Sequence, residues 1–247
     1  MDALGDLVAR ERRSDDPALL APRQNRTYDY HRFCTTAWKT GNFWRRRGVH
    51  EDATVAVADD PAPEAIFAFL GAALLGAKTS FGPSEVPDAR VVVAPNDDIA
   101  DYELSPGGQK VAYGGPPDDP AVARFERDVW SENPAFPETP INPETIALVV
   151  RSGDQRDRAE VNADREFSHA DLLSAARDVA DDWGLEPGDE VAIRASLAAP
   201  GTVVAGVVAP LLAGAAILLP NEGAVGDYAV AEGDAPENEV IRPEAAI

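Results

Sequence analysis

The sequence predicts an α/β fold of two similar lobes, each a mostly parallel sheet with flanking helices. Three observations support this prediction. Short apolar runs alternate with longer helical patterns, one such unit occurs twice, and each copy has proline near a helix start and glycine after a helix end. A chain of 247 residues can bury a sizeable core. We expect a first lobe with a connector at 1–144 and a second lobe at 145–247, packed as one two-lobed unit.

The first copy of the repeat runs from Thr27 to Phe81. It opens with a short strand that reaches an aromatic residue at Tyr28, and a helix of roughly four turns follows, with Gly48 as its stop. A turn, the apolar strand pattern ATVAVA and a helix led by proline come next. The pair Gly76-Ala77 then precedes another apolar strand.

The second copy runs from Glu166 to Pro220 and repeats this order. Its first strand reaches Phe167, and its long helix is closed by Gly184. The strand pattern DEVAIRA, a second helix led by proline, and a glycine at Gly214 before the last apolar strand complete it. Two copies of one unit predict two lobes of the same design.

The segments outside the repeat complete the two lobes. Gly82 to Glu144 is rich in Pro, Gly and Asp but holds strand patterns at ARVVVAP and QKVAYGG and a short helical pattern at PAVARFERDVW. We interpret it as the outer part of the first lobe plus a connector. From Asn221 onward the chain is acidic, and the pattern NEVIR predicts one edge strand.

The charge of the chain is strongly negative. Asp and Glu number 43 against 22 Lys and Arg, which gives a net charge of −21, and the acids are spread along the whole chain. We interpret this as adaptation to molar salt in a halophile, where repulsion between carboxylates is screened. An acidic face for a basic partner is the alternative. Nucleic acid is not an expected ligand, because no basic stripe occurs.

No membrane segment or disulfide framework is predicted. The most apolar stretch, Gly201 to Pro220, is interrupted by Pro210 and Gly214 and reads as a buried helix, turn and strand. Cys34 is the single cysteine and is expected to be a small buried apolar residue. The charged N-terminus lacks the apolar core of a signal peptide, so we expect a soluble cytoplasmic protein.

The segment from Ile146 to Leu173 has the layout of a phosphate-binding loop. A short apolar run leads into Ser152-Gly153, a polar loop follows, and Ser168-His169 begins a helix, with Ser168 as the expected N-cap. Such a loop uses glycines to bring backbone N–H groups close to the phosphate, and a lysine or hydroxyl adds a donor. Gly153 is, however, the one glycine between Gly115 and Gly184.

The charges of this loop oppose phosphate binding. No lysine follows Lys110 in the sequence, and Asp154, Asp157 and Glu160 would meet a polyphosphate with like charge. Arg156 and Arg158 offset part of that charge and are the candidate phosphate ligands. A solvated polar hairpin is the alternative interpretation of the same residues. His31, His50 and His169 lack metal-ligand spacing, so no metal site and no catalytic residue is predicted.

The order of these pieces resembles the N-terminal domain of the adenylate-forming, AMP-binding acyl-CoA synthetase/ligase superfamily. The first copy contributes TYDYHRF, RGVHEDATVAV and FLGAALLGAKTSF, and the second contributes GDEVAI and PLLAGAAILLP. The loop of that family is usually Y-T-S-G-T-T-G-x-P-K-G-V, followed by SH and a helix. Here Ser152-Gly153 matches the SG and Ser168-His169 matches the SH, while the other glycines and the lysine are replaced.

The resemblance implies a large N-terminal domain of two similar sub-lobes, in a chain about twice this length. In the family, the later stretch carries the adenine-contacting segment, an acidic residue for the ribose and a C-terminal domain with a catalytic lysine. The residues that match the phosphate loop are Ser152 and Gly153, with Arg156 and Arg158 beside them, and we interpret them as a vestigial site. We expect this chain alone not to adenylate a substrate.

Three functions remain open at this point. The first is a truncated, catalytically silent ligase relative that acts as a binding or regulatory module, with no cofactor. The second is one subunit of a split acyl-adenylate-forming ligase that activates a carboxylic acid with ATP, with ATP or AMP and Mg²⁺ as cofactors. The third is a small acyl or carboxylate ligand held between the lobes without ATP. A protein partner or a homo-oligomer is expected, because the shortened second lobe leaves apolar surface uncovered.

Overall fold

The computed structural model describes residues 1–83, 85–137, 139–151 and 164–247. The strands in these ranges are β1 (Pro17–Ala21), β2 (Arg26–Asp29), β3 (Thr54–Val57), β4 (Lys78–Phe81), β5 (Val91–Pro95), β6 (Gln109–Tyr113), β7 (Ala123–Arg124), β8 (Ile146–Val150), β9 (Arg165–Ser168), β10 (Glu190–Ile193), β11 (Ala216–Leu218), β12 (Tyr228–Val230) and β13 (Glu239–Ile241). The helices are α1 (Tyr30–Arg46), α2 (Pro63–Ala73), α3 (Phe125–Trp130), α4 (His169–Trp183), α5 (Pro200–Val203) and α6 (Ala209–Ala213), with a π-helical turn at Val204–Val208 between the last two.

The described strands form two sheets, each parallel except for one hairpin. The first sheet has seven strands in the order β7-β6-β5-β3-β4-β8-β9, and the second has six in the order β13-β12-β10-β11-β1-β2. The antiparallel pairs are β8 with β9 and β1 with β2. This confirms the predicted α/β fold of two mostly parallel sheets with flanking helices. The predicted strand in NEVIR is β13, at the edge of the second sheet.

The two sheets exchange their hairpins. β1 pairs with β11 in the second sheet, although both β1 and β2 precede the first lobe's own strands. Reciprocally, β8 pairs with β4 in the first sheet, although β8 follows residue 144. The helix after each hairpin packs with helices of the lobe whose sheet the hairpin does not join. α1 packs on α2 of the first lobe, and α4 packs on α6 and the π-helical turn of the second lobe. Each sheet therefore contains strands from both sides of residue 144, and the domain boundary there stays a prediction.

The long helix of each copy begins at a side-chain cap. The Asp29 side chain accepts a hydrogen bond from the Arg32 N–H (2.7 Å), and the Ser168 side chain accepts one from the Asp171 N–H (3.1 Å). The Asp171 carboxylate in turn accepts a hydrogen bond from the Ser168 N–H. The two bonds form a capping box and confirm the predicted cap. At the other end of α4, Gly184 has φ +62°, the left-handed conformation that glycine adopts without strain.

The helices that follow proline are buried. Every residue of α2 is buried, because this helix lies between the first sheet, α1 and the Leu4–Val8 segment. The apolar stretch from Gly201 to Pro220 forms the end of α5, the π-helical turn, α6 and β11, as the helix–turn–strand prediction requires. Among the described residues, no helix combines the length and the apolar character needed to cross a membrane.

Two tryptophans of α1 form hydrogen bonds with neighbouring segments. The indole N–H of Trp44 donates to the Ala68 carbonyl of α2 (3.2 Å), and that of Trp38 donates to the Val8 carbonyl (2.9 Å). Both rings are buried, and each places its one polar group against a backbone acceptor. Cys34 on the same helix is buried, as predicted, and burial raises the pKa of its thiol to about 11.

Candidate functional site

The carboxyl ends of the parallel strands define the place where a ligand is expected. β3, β4, β5 and β8 run parallel, so their carboxyl ends share one edge of the first sheet. The carboxyl ends of β10, β11 and β12 likewise share one edge of the second sheet. In open α/β sheets ligands bind in the crevice outside these ends.

The predicted phosphate loop leaves the first sheet at this edge. β8 ends at Val150, which pairs with Arg165 at the start of β9, so the loop spans the open end of this hairpin. The candidate phosphate-loop residues Ser152, Gly153, Arg156 and Arg158 lie outside the described residues, as do the acids beside them. The structure therefore places the stem of the loop at the ligand-binding edge, and the assignment of these four residues stays a prediction.

The carboxyl edges of the two sheets are joined by Asp59. This residue follows β3, and its carboxylate accepts hydrogen bonds from the Ser196 hydroxyl (2.6 Å) and the Leu197 N–H (2.8 Å), both in the loop after β10. Gly82, after β4, has φ +59°, and a Cβ there would lie 3.1 Å from the Asp59 Cβ and 3.3 Å from the Ala198 Cβ. The junction is thus closely packed and leaves the Asp59 oxygens occupied.

A second carboxylate lies beside this junction. Asp60 accepts a hydrogen bond from the Tyr113 hydroxyl at the end of β6 (2.8 Å). Burial, together with the Asp60 charge and this bond, raises the pKa of Tyr113 well above its usual value. The described part of this edge therefore presents acidic side chains that already have hydrogen-bond donors.

The cations do not compensate for these acids. Lys78 begins β4 and Lys110 is the second residue of β6, so both lie toward the amino ends of their strands. Lys39 lies on α1. The described residues of the edge consequently do not favour a polyphosphate, because a phosphate would meet the Asp59 and Asp60 carboxylates without a lysine beside them.

Arg194 follows β10 at the carboxyl edge of the second sheet but is held within its own lobe. Its guanidinium donates to both oxygens of Glu237, with N–O distances of 2.6 to 3.0 Å, and to the Ala224 carbonyl (2.7 Å). The Glu237 side chain is fully buried. Burial opposes its ionisation, but hydrogen bonds from Arg194 and the Gly226 N–H hold the pKa of Glu237 below its usual value.

His169, which matches the family's Ser-His, is structural in this fold. It is completely buried, and its Nδ1 accepts a hydrogen bond from the Leu4 N–H (3.1 Å). Burial lowers its pKa to about 4, so the ring is neutral at physiological pH. Within the described ranges no group of three or more His, Cys, Asp or Glu side chains is arranged to hold a metal ion.

Sequence reasoning missed the Asp59 junction. A usable signal existed, because Asp59 and Ser196 follow the corresponding strands of the two repeat copies, β3 and β10. Polar residues just beyond the carboxyl ends of equivalent strands are candidates for a contact between lobes. The abundance of carboxylates in this chain hid that signal, since no single Asp stands out among 43 acids.

Comparison with solved structures identifies the fold. The chain is similar to an anthranilate CoA ligase, AuaEII, whose crystal structure contains anthranoyl-AMP, with TM-score 0.75 and 18% identity over 88% of this chain and 45% of that one. It is similar to a benzoate CoA ligase from Burkholderia xenovorans LB400, with TM-score 0.73 and 18% identity over 92% of this chain and 50% of that one. An inhibitor-bound N-terminal domain of FACL13 from Mycobacterium tuberculosis gives TM-score 0.68 and 16% identity over 90% of this chain and 58% of that one.

The class of protein follows from these matches. The chain has the fold of the N-terminal part of the CoA ligases, as its motifs indicated, and it spans about half the length of the structures it matches. No protein-family model matches the sequence, and no curated protein matches it. At such low identity the likeness describes the fold, and activity has to be argued from the residues.

Proposed function

We propose that this chain is a ligase-like module that binds or regulates a partner and does not itself adenylate a carboxylic acid. The observation that carries the proposal is the composition of the loop between β8 and β9. This loop has one glycine, Gly153, and no lysine, although the strands and helices on both sides of it are formed.

The chemistry of adenylation supports this proposal. The reaction needs the carboxylate and the α-phosphate aligned while the charge of the departing pyrophosphate is stabilised. A loop with Asp154, Asp157 and Glu160 adds negative charge where positive charge is required. The Asp59 and Asp60 carboxylates at the same sheet edge act in the same direction.

The partner in this proposal is another protein or a second copy of this chain, in the cytoplasm and without a nucleotide cofactor. The net charge of −21 supports a high-salt environment, because repulsion among exposed carboxylates is weakest when it is screened. A basic partner surface would be the complement of this charge at lower salt.

Pyrophosphate exchange tests the proposal directly. The protein is incubated with ATP, Mg²⁺, labelled pyrophosphate and a panel of aryl and acyl carboxylic acids, and a CoA ligase of the same fold serves as the positive control. We expect no exchange above background with any acid. Exchange by the chain alone would contradict the proposal. Exchange that appears only when a separate chain with the C-terminal half of a ligase is added would instead support the split ligase, with ATP and Mg²⁺ as cofactors.

A further inference from the structure

A pocket lies between α1 and α3, outside the loop that joins β8 to β9. It has a volume of about 430 Å³, within the range of small-molecule sites. The residues that line it come from β2, α1, α2, α3 and the segment before β1. It differs from the rest of this acidic protein in being rich in both cations and aromatic rings.

Aromatic rings line its floor and one wall. Tyr28 and Phe67 are buried and meet edge to face, with ring centroids 5.1 Å apart, and Phe125 of α3 is buried beside them. Trp130, the last residue of α3, is 75% exposed at the rim. At this position the ring can cover the apolar part of a ligand.

One face of α1 supplies polar groups to the pocket. Arg32, Thr36 and Lys39 lie four and then three residues apart, so they share one side of the helix. The Lys39 ammonium donates to the Trp130 carbonyl (2.6 Å) and lies 4.6 Å from the centroid of that ring. The guanidinium of Arg32 donates to the Thr27 carbonyl (3.2 Å).

The cations of this pocket lack carboxylate partners. In the described part of the chain, Arg13, Arg32 and Lys39 form no ion pair, although the protein holds about twice as many acids as bases. The Nε of Arg13 is buried and has no hydrogen-bond partner among the described residues. A buried guanidinium N–H without an acceptor is unfavourable unless a ligand supplies one.

Two acids near the pocket already have partners, and the exposed Asp15 carboxylate lies 3.8 Å from His31, a residue of the pocket lining. Glu64 pairs with Arg26, whose guanidinium also donates to the Tyr28 hydroxyl. The Glu126 carboxylate accepts hydrogen bonds from the Gly114 N–H (2.7 Å) and the Arg124 side chain (3.4 Å). Among the described residues, no carboxylate therefore neutralises the charges of Arg13, Arg32 and Lys39 at this pocket.

We propose that the pocket between α1 and α3 binds a small organic anion with a planar apolar body. Its anionic group lies among Arg13, Arg32 and Lys39, and its ring packs against Phe125 and Trp130. This inference does not rest on the proposed function, because it uses no residue of the loop between β8 and β9.

Calorimetric titration in molar KCl tests the proposal with 2-naphthoate, its neutral analogue 2-naphthamide, and inorganic phosphate. We expect 2-naphthoate to bind and the amide and phosphate to bind at least about tenfold more weakly, since each lacks one half of the recognition. The double variant R13Q/R32Q and the variant W130A should each weaken naphthoate binding, the former by about tenfold or more.

A matched control separates the pocket from the general charge of the surface. The variant R10Q/R242Q removes the same charge from two exposed arginines outside the pocket and should leave naphthoate binding within about twofold of the wild type. Circular dichroism checks that each variant is folded. The proposal is overturned if naphthoate does not bind at about 10 mM, if the amide binds equally well, or if R10Q/R242Q weakens binding as much as R13Q/R32Q.

Discussion

His169 illustrates how burial sets the charge state of a single residue. Its Nδ1 can accept the Leu4 N–H bond only while that nitrogen is unprotonated, and the ring is completely buried. The folded-state pKa of about 4 lies below the value of about 6.5 expected for an unfolded chain. The neutral ring therefore contributes its full stability above about pH 6.5, and this contribution is lost as the pH falls toward 4.

We predict that replacing His169 by glutamine makes stability less dependent on pH between 6.5 and 4.5. Glutamine can still accept the Leu4 N–H bond but does not titrate, so up to about 3 kcal/mol of acid-induced loss is removed. Urea unfolding of both proteins across this range provides the free energies. Parallel pH profiles for the two proteins would show that His169 is not the neutral buried group described here.

The Arg194–Glu237 pair illustrates a buried charge that needs its partner. Replacing Arg194 by leucine leaves the fully buried Glu237 carboxylate without its guanidinium, and we expect a loss of about 3–5 kcal/mol in the free energy of unfolding. Replacing Arg127, an exposed arginine paired with Asp128 at 2.7 Å, by leucine is the matched control and should cost far less, because solvent screens an exposed pair. Similar losses in the two variants would contradict this account.

At the scale of elements, the Asp59 junction connects the loops after β3 and β10. We predict that replacing Asp59 by alanine destabilises the protein by about 2–3 kcal/mol, because the Leu197 N–H and the Ser196 hydroxyl both lose their acceptor. Replacing Ser196 by alanine removes one of these bonds and should cost about 1 kcal/mol. Amide exchange at Leu197 provides the local readout, and unchanged protection in the Asp59 variant would contradict the assignment.

The elements themselves were largely predictable, because local patterns determine them. Proline as the first residue of α2 and α5, and glycine after α1 and α4, mark helix ends by their backbone preferences. The repeat then predicted two lobes. The exchange of β1–β2 and β8–β9 between sheets was not predicted, since a strand pattern specifies which face is buried and does not identify the neighbouring strand.

The candidate site was predictable only in part, for a related reason. Ser168 could be recognised as a cap because a cap depends on residues three positions apart, and the loop could be located because an apolar run precedes Ser152-Gly153. The contact of Asp59 with Ser196 joins residues 137 positions apart. The pocket between α1 and α3 likewise brings Arg13 together with Trp130, and only the folded chain shows that proximity.

At the scale of the whole molecule, we propose that the ligase-like fold is present without ligase activity. The hairpin exchange and the Asp59 junction connect the two sheets, while the described carboxyl edge carries Asp59 and Asp60 with no lysine beside them. A fold can persist without its chemistry because packing depends on the apolar core and catalysis depends on a few polar groups.

Nucleotide binding by the loop is the most direct test of this account. Thermal unfolding is followed in molar KCl with and without about 5 mM ATP and Mg²⁺, since a ligand that binds the folded state raises the melting temperature. The R13Q/R32Q variant is used, so that binding in the pocket between α1 and α3 does not contribute. The account predicts no change in melting temperature. A saturable increase with ATP would contradict this prediction, because it would show that the folded chain binds the nucleotide.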